Sequence, residues 1–186
     1  MRIKYFYLIL IIFFNNLYSQ SFDVNKKNEL KLNIGYVFFG ISELTYERIV
    51  SEKSSFGISL LHSFNKETSI KMFITPYYRY YFGKKYSSGF FIEGFSSINT
   101  TRTFDKTMYT IFSNNNVGNY QVIQGKEYTD VGIGASLGTK WATGSGFIFE
   151  IYAGIGKNIL DVYKKNENNN NFSIIPRLGI DFGYRF

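Results

Sequence analysis

Cysteine is absent from this 186-residue chain. That excludes a disulfide framework, a thiolate metal site and a cysteine nucleophile. It also excludes the lipid anchor of a lipoprotein, which is attached through cysteine. Proline occurs only twice and histidine once. No spacing of His, Asp and Glu resembles a metal-ligand cluster, and no cofactor is expected. Beyond the N-terminal segment, no apolar run approaches the roughly 20 residues that a spanning helix requires. Mean hydropathy is −0.13, so bulk hydrophobicity does not announce a membrane protein. A membrane β-barrel survives that test, because alternation dilutes its apolar residues. The net charge is +7, yet no dense Lys/Arg run occurs. Scattered loop lysines account for the charge, and no nucleic-acid partner is expected.

What the chain has in plenty is aromatic residues, at 20%, with 16 Tyr and 20 Phe. That composition favours strands over helices, and the length suits one domain. The first segment, MRIKYFYLILIIFFNNLYSQ, opens with Arg2 and Lys4, runs apolar from Tyr5 to Phe14 and reaches small Ser19. This is the layout of a secretory signal peptide. Its apolar run is about half the length needed to span a bilayer. Residues 1–19 are therefore expected to be removed, leaving 20–186 as one exported domain. A retained N-terminal anchor helix is the alternative.

Eight stretches of the remaining chain alternate in period two, each about the 9–11 residues of a tilted membrane strand. They are 30–39, 41–50, 55–64, 72–82, 89–100, 130–141, 147–156 and a last one from near Phe172 to Phe186. In the sixth, Val131, Ile133, Ala135, Leu137 and Trp141 oppose Gly132, Gly134, Ser136, Gly138 and Lys140. In the last, Leu178, Ile180, Phe182, Tyr184 and Phe186 oppose Arg177, Gly179, Asp181, Gly183 and Arg185. Short turns are expected after strands two, four and six. Longer connections follow strands three, five and seven, at 65–71, 101–129 and 157–171. The join near Gly40 is short where a long one would fit. Short turns at one end and longer loops at the other are the pattern of outer-membrane barrels.

Two all-β readings compete for this pattern. A soluble lipocalin-like barrel or sandwich would bury the apolar face. A membrane barrel would turn it outward. The placement of charge decides between them. The apolar face has almost no ionisable residue in mid-strand, and Arg48 sits at a strand end, where it can snorkel. The other face carries Lys31, Glu43, Glu47, Arg79, Glu93, Lys140, Glu150, Arg177, Asp181 and Arg185. A cation facing lipid at the midplane costs about 2–4 kcal/mol. Charges of both signs on so many strands can pair only if the sheet closes.

The expected fold is thus an eight-stranded antiparallel up-and-down transmembrane β-barrel with a polar interior filled by side chains. Eight strands leave room inside only for side chains. Glycines at 132, 134, 138, 154, 156, 179 and 183 make space there for the long ones. Aromatic residues near strand ends, Tyr46, Phe56, Tyr80, Phe82, Phe90, Trp141, Phe147 and Tyr184, fit an interfacial girdle.

The signal segment, the eight alternating strands and a last strand ending aromatic-x-Phe (Tyr184, Phe186) resemble small Gram-negative outer-membrane barrels of the OmpA/OmpX type. LTYERIVSEKSSFGISL (44–60) and ITPYYRYYFGKKYSSGFFIEGF (74–95) are similar to an uncharacterised family of such barrels, a domain of unknown function. That family shares a Tyr-Glu-Arg stretch before a short turn and a Pro-x-x-Arg-Tyr-Tyr-Phe strand. The resemblance implies that Tyr184 and Phe186 form a signal for the barrel-assembly machinery. It implies no catalytic residue.

Other chemistry is thinly supported. His62 and Ser63 invite comparison with lipid-modifying barrel enzymes, but adjacent strand residues point to opposite faces. AGIGKN (153–158) lacks the first glycine, the Ser/Thr and the helix of a phosphate loop. Glu47 and Glu93 read as ion-pair partners of nearby cations rather than as an acid–base pair. The expected function is that of a monomeric, non-enzymatic outer-membrane barrel among outer-membrane lipids. Loops 101–129 and 157–171, with Tyr109, Phe112, Tyr120, Tyr128 and Tyr163, would form its contact surface for an extracellular ligand or protein. A small pore for ions or solutes and a lipid-modifying enzyme are the alternatives.

Overall fold

The computed structural model describes residues 25–65, 67–83, 85–107, 121–160 and 174–186. Eight strands carry the fold: β1 (Asn28–Asn33), β2 (Ile41–Ser51), β3 (Ser54–Ser63), β4 (Ile70–Tyr81), β5 (Gly89–Thr107), β6 (Gln121–Ala142), β7 (Phe147–Asn158) and β8 (Ile174–Arg185). They pair antiparallel in chain order, and the sheet closes on itself as a barrel. Closure runs from Glu29 opposite Arg185 to Asn33 opposite Asp181. A single helical turn, α1 (Ile34–Val37), joins β1 to β2. No helix among the described residues is long and apolar enough to cross a membrane. The expected signal segment lies outside the described residues.

Period-two alternation sorts the side chains as it must in a closed sheet. Along β8, Ile175, Arg177, Asp181 and Arg185 are buried, while Ile174, Leu178, Ile180, Phe182 and Tyr184 are exposed. The same division holds on every strand. Leu30, Leu44, Ile58, Tyr80, Ile92, Leu137 and Ile151 all face outward. The outside of the barrel is therefore an apolar belt, and the inside holds the charge. Exposed aromatic rings crowd the end with the short turns. Phe147 meets Tyr184 edge-on at 5.7 Å, Trp141 stacks on Phe149 at 5.4 Å, and Phe82 lies 5.8 Å from Phe90.

Two boundaries differ from the sequence reading. The first strand stops at Asn33, although apolar alternation continues to residue 39. The Asn33 side chain accepts from the Gly35 N–H at 3.1 Å and starts a helical turn. This N-cap chemistry overrides the period-two pattern. The β1–β2 connection thereby becomes the longer join that the alternation of turns and loops demands. The second difference is larger. Much of 101–129 is strand, because β5 runs to Thr107 and β6 starts at Gln121. Polar residues occupy odd and even places alike in those stretches, so hydrophobic periodicity does not mark them. In the last loop, Lys157 and Asn158 belong to β7, and 161–173 lies outside the described residues. So do Tyr109, Phe112, Tyr120 and Tyr163, whereas Tyr128 is buried on β6.

Glycines admit the large interior rings. A Cβ at Gly179 would meet the Tyr152 ring, and one at Gly57 the Tyr77 ring. A Cβ at Gly138 would lie 2.5 Å from Phe91 Cζ. Each bulky ring thus lies over a strand that has no side chain at that point. Gly94 faces outward, with nothing within 4 Å of such a Cβ. Gly179→Val is therefore expected to lower stability by about 1–3 kcal/mol through overpacking. Gly94→Ala is expected to leave it unchanged. The midpoint of urea unfolding measures both.

Candidate functional site

The interior is the chemically distinctive part of the molecule. Period two brings Lys31 (β1), Glu47 (β2), Arg79 (β4), Lys140 (β6) and Glu150 (β7) to one level, each buried. Glu47 is the hub. Its Oε1 accepts from Lys140 Nζ and the Tyr81 hydroxyl, both at 2.7 Å. Its Oε2 accepts from Lys31 Nζ at 2.5 Å, Tyr77 at 2.9 Å and Arg79 Nη1 at 3.0 Å. Glu150 accepts from Lys31 and Arg79, each at 2.9 Å, and lies 3.2 Å from Lys140. The Arg79 guanidinium is flanked by the Tyr77 and Phe91 rings, 4.5 and 4.2 Å from their centroids.

Glu93 on β5 links this level to the next. Its Oε2 accepts from Arg79 Nε at 2.6 Å. Its Oε1 accepts from Arg177 Nε at 2.5 Å and the Ser136 hydroxyl at 2.9 Å. Arg177 also reaches Glu43 at 3.3 Å. Towards the turns, Arg185 pairs with Glu29 at 2.6 Å and donates to the Tyr86 and Ser87 carbonyls. The β4–β5 turn is tucked inward there. Buried Ser87 takes a φ of 40°, and its N–H donates to the Glu52 carbonyl at 2.7 Å.

Of the expected interior residues, Lys31, Glu47, Arg79, Glu93, Lys140, Glu150, Arg177 and Arg185 all join ion pairs within the barrel. Asp181 is buried opposite Glu150 on the β7–β8 pair. Its Oδ1 has no hydrogen-bond partner among the described residues. Sequence reasoning passes over Glu29, one alternation before Lys31 and on the same face. It also passes over the inward rings of Phe91 and Phe95, although their odd-numbered places beside Glu93 carry the same signal.

Glu29, Glu47 and Glu150 present oxygens within 4.8 Å of one another, a spacing that could hold a cation. Lys31 and Lys140 already supply that charge, each pairing with all three carboxylates. A metal would have to displace ammonium groups from the carboxylates that balance them. Elsewhere, His62 faces outward and lies edge-on to Phe64 at 4.9 Å, while Ser63 is buried and bonded to Asn65 and Thr68. They point to opposite faces of β3.

A buried ion loses its hydration, and only well-placed opposite charges restore it. Arg79→Met strips a shared cation from three carboxylates and is expected to cost about 3–5 kcal/mol. Arg79→Met combined with Glu150→Met removes charge of both signs. Its cost should fall short of the sum of the two single changes, as a double-mutant cycle in urea would show.

No curated protein and no solved structure matches the chain. A family model described as a protein of unknown function, DUF3575, matches residues 5–184. The match spans nearly the whole chain, barrel included, and the chain belongs to the DUF3575 family.

Proposed function

We propose that the protein is a monomeric, non-enzymatic outer-membrane barrel of the small OmpA/OmpX-like type. Its lumen is sealed, and its working surface is the loop end. The observation that carries this reading is the inversion of polarity, with an apolar belt outside and paired charges inside. Such an exterior suits hydrocarbon, and a closed sheet leaves no strand edge wanting partners there. The aromatic rings at the turn end suit a membrane interface. Side chains from opposite walls meet at Glu47 and Glu150, so the interior offers ions no open path.

The loop end offers the contact surface. Pairing of β4 with β5 ends at Thr101, and pairing of β6 with β7 ends at Gly132. The β5–β6 pairing continues to Thr107 opposite Gln121. This two-stranded ribbon extends beyond the wall, and its edges suit strand addition by an extracellular protein.

The membrane fraction of cells expressing the full chain provides the test. The protein should resist alkaline extraction and migrate faster on gels unheated than boiled. Deleting Phe186 should lower the folded fraction, through the barrel-assembly machinery. Conductance in planar bilayers should stay at background. Recovery of the protein wholly in the soluble periplasm overturns the membrane assignment, and discrete conductance steps overturn the sealed lumen.

A further inference from the structure

At the turn end, the outer face of the barrel carries cations that no acid balances. Arg48 is the one charged residue on the outward side of β2, and it is exposed. Register sets it opposite Asn28 on β1 and Phe56 on β3. Its Nη1 donates to Asn28 Oδ1 at 2.6 Å, and the Tyr46 hydroxyl donates to the same oxygen at 2.8 Å. The guanidinium is thus held towards β1, at the level of the Tyr46 hydroxyl, but by a neutral amide. It makes no other hydrogen bond and no ion pair among the described residues. The interior arginines Arg79, Arg177 and Arg185 are all paired with glutamate. At the loop end, half-exposed Lys71 is paired with Glu127 at 2.6 Å.

Lys26 repeats the pattern on the other side of β1. Its Nζ lies 5.5 Å from the centroid of the Tyr184 ring, and it makes no ion pair among the described residues. Tyr184 and Tyr46 are the outward residues that flank Leu30 in register. The strip across β8, β1 and β2 therefore sets two unpaired cations beside two tyrosines, at the edge of the apolar belt. Exposed Lys27, Lys53 and Lys85 share the same rim with Glu52. Apolar side chains, then tyrosine hydroxyls, then cations follow the order of a phospholipid leaflet, from acyl tails to phosphates.

We infer, on the membrane assignment proposed above, that Arg48 binds the phosphate of a phospholipid of net negative charge at the turn-end interface. Nε and Nη2 make no bond within the protein, and a guanidinium fork matches phosphate oxygens. Asn28 fixes the group without neutralising it, so its charge is open to an anion from outside. Tyr46 and exposed Phe56 beside it mark the edge of the belt. An anion bound there sits where acyl chains begin. A phosphodiester with two chains along the belt gains from both contacts, and a soluble anion gains from one. Lys26 adds attraction from the far side of Leu30, which favours an anionic lipid over a zwitterionic one.

The test places the full barrel in nanodiscs of equal phosphatidylglycerol and phosphatidylcholine with matched chains. Native mass spectrometry then weighs the lipid that the protein retains. Phosphatidylglycerol should be retained about fivefold over phosphatidylcholine, the scale of one well-placed exposed ion pair. Arg48→Gln should remove the preference. Asn28→Asp keeps the arginine but gives it a carboxylate, and should remove the preference too. Lys27→Gln takes one exposed charge from the same rim and should leave the ratio unchanged. All three variants lower the net charge by the same one unit, so only position separates them. Heat-modifiable gel mobility shows that each variant has folded. Equal retention of the two lipids by the unaltered protein, a preference that survives Arg48→Gln, or an equal loss on Lys27→Gln overturns the inference. A barrel that never enters a bilayer overturns the membrane assignment, whereas one that enters and retains both lipids equally overturns this inference alone.

Discussion

Glu29, Glu47, Glu93 and Glu150 are buried carboxylates, and each finds its opposite inside the barrel. Glu47 shows how strict the demand is, with two lysines, an arginine and two tyrosine hydroxyls around a single carboxylate. Those partners come from β1, β4 and β6, and only a closed sheet brings them to one axis. An open sheet would leave Lys31 at a distance from Glu150, and Lys140 at a distance from Glu29 and Glu47, and strand ions of both signs. Closure and charge pairing are therefore one constraint seen from two sides. It also explains the glycines. A lumen that holds guanidinium groups, ammonium groups and phenol rings has no room for further side chains opposite Tyr77, Phe91 and Tyr152.

The same constraint gives the outer face its character. With the charges drawn inward, period two leaves the alternate positions free to be apolar. They are so on all eight strands. A soluble protein rarely exposes a continuous belt of this kind, and such a surface demands a partner. In the membrane setting proposed above, hydrocarbon covers the cylinder on every side. The wall is least regular at α1, where β1 has ended. There the Asn33 side chain meets the Leu178 carbonyl and the Ile180 N–H, backbone groups that a longer β1 would otherwise have paired.

How far the sequence reveals this depends on which residues carry the pattern. Strand-by-strand alternation in 130–141 and 177–186 is nearly perfect, because each residue there faces either the belt or the lumen. The interior ions can be named from parity alone, since a charge in mid-strand has only one tolerable direction. Glu29 is missed because the alternation first becomes visible one residue later, at Leu30. The α1 turn is missed because Ile34, Tyr36 and Phe38 keep the strand pattern while a single Asn33 cap breaks it. The β5–β6 ribbon is missed for the opposite reason. Polar residues fall on odd and even places alike along 101–107 and 121–127, so no hydrophobic periodicity marks the strands there. Which carboxylate pairs with which cation is also beyond reach, because partners up to 156 residues apart, as with Arg185 and Glu29, meet only once the register is known.

The two ends of the cylinder differ in how they are built. At the turn end, connections are short, rings pack on rings, and Arg185 and Ser87 fasten the β4–β5 turn across the mouth. Unpartnered buried polar atoms occur in both halves among the described residues, Ser55 Oγ and Arg79 Nη2 towards the turns and Arg177 Nη2 and Arg102 Nε towards the loops. What sets the loop end apart is the ribbon, which leaves the shelter of its neighbouring strands. Segments that must engage a partner are drawn from the less saturated parts of a fold. The loop end, with the free edges of its two-stranded ribbon, keeps backbone hydrogen-bonding capacity in reserve, and the contact role proposed for it draws on that reserve.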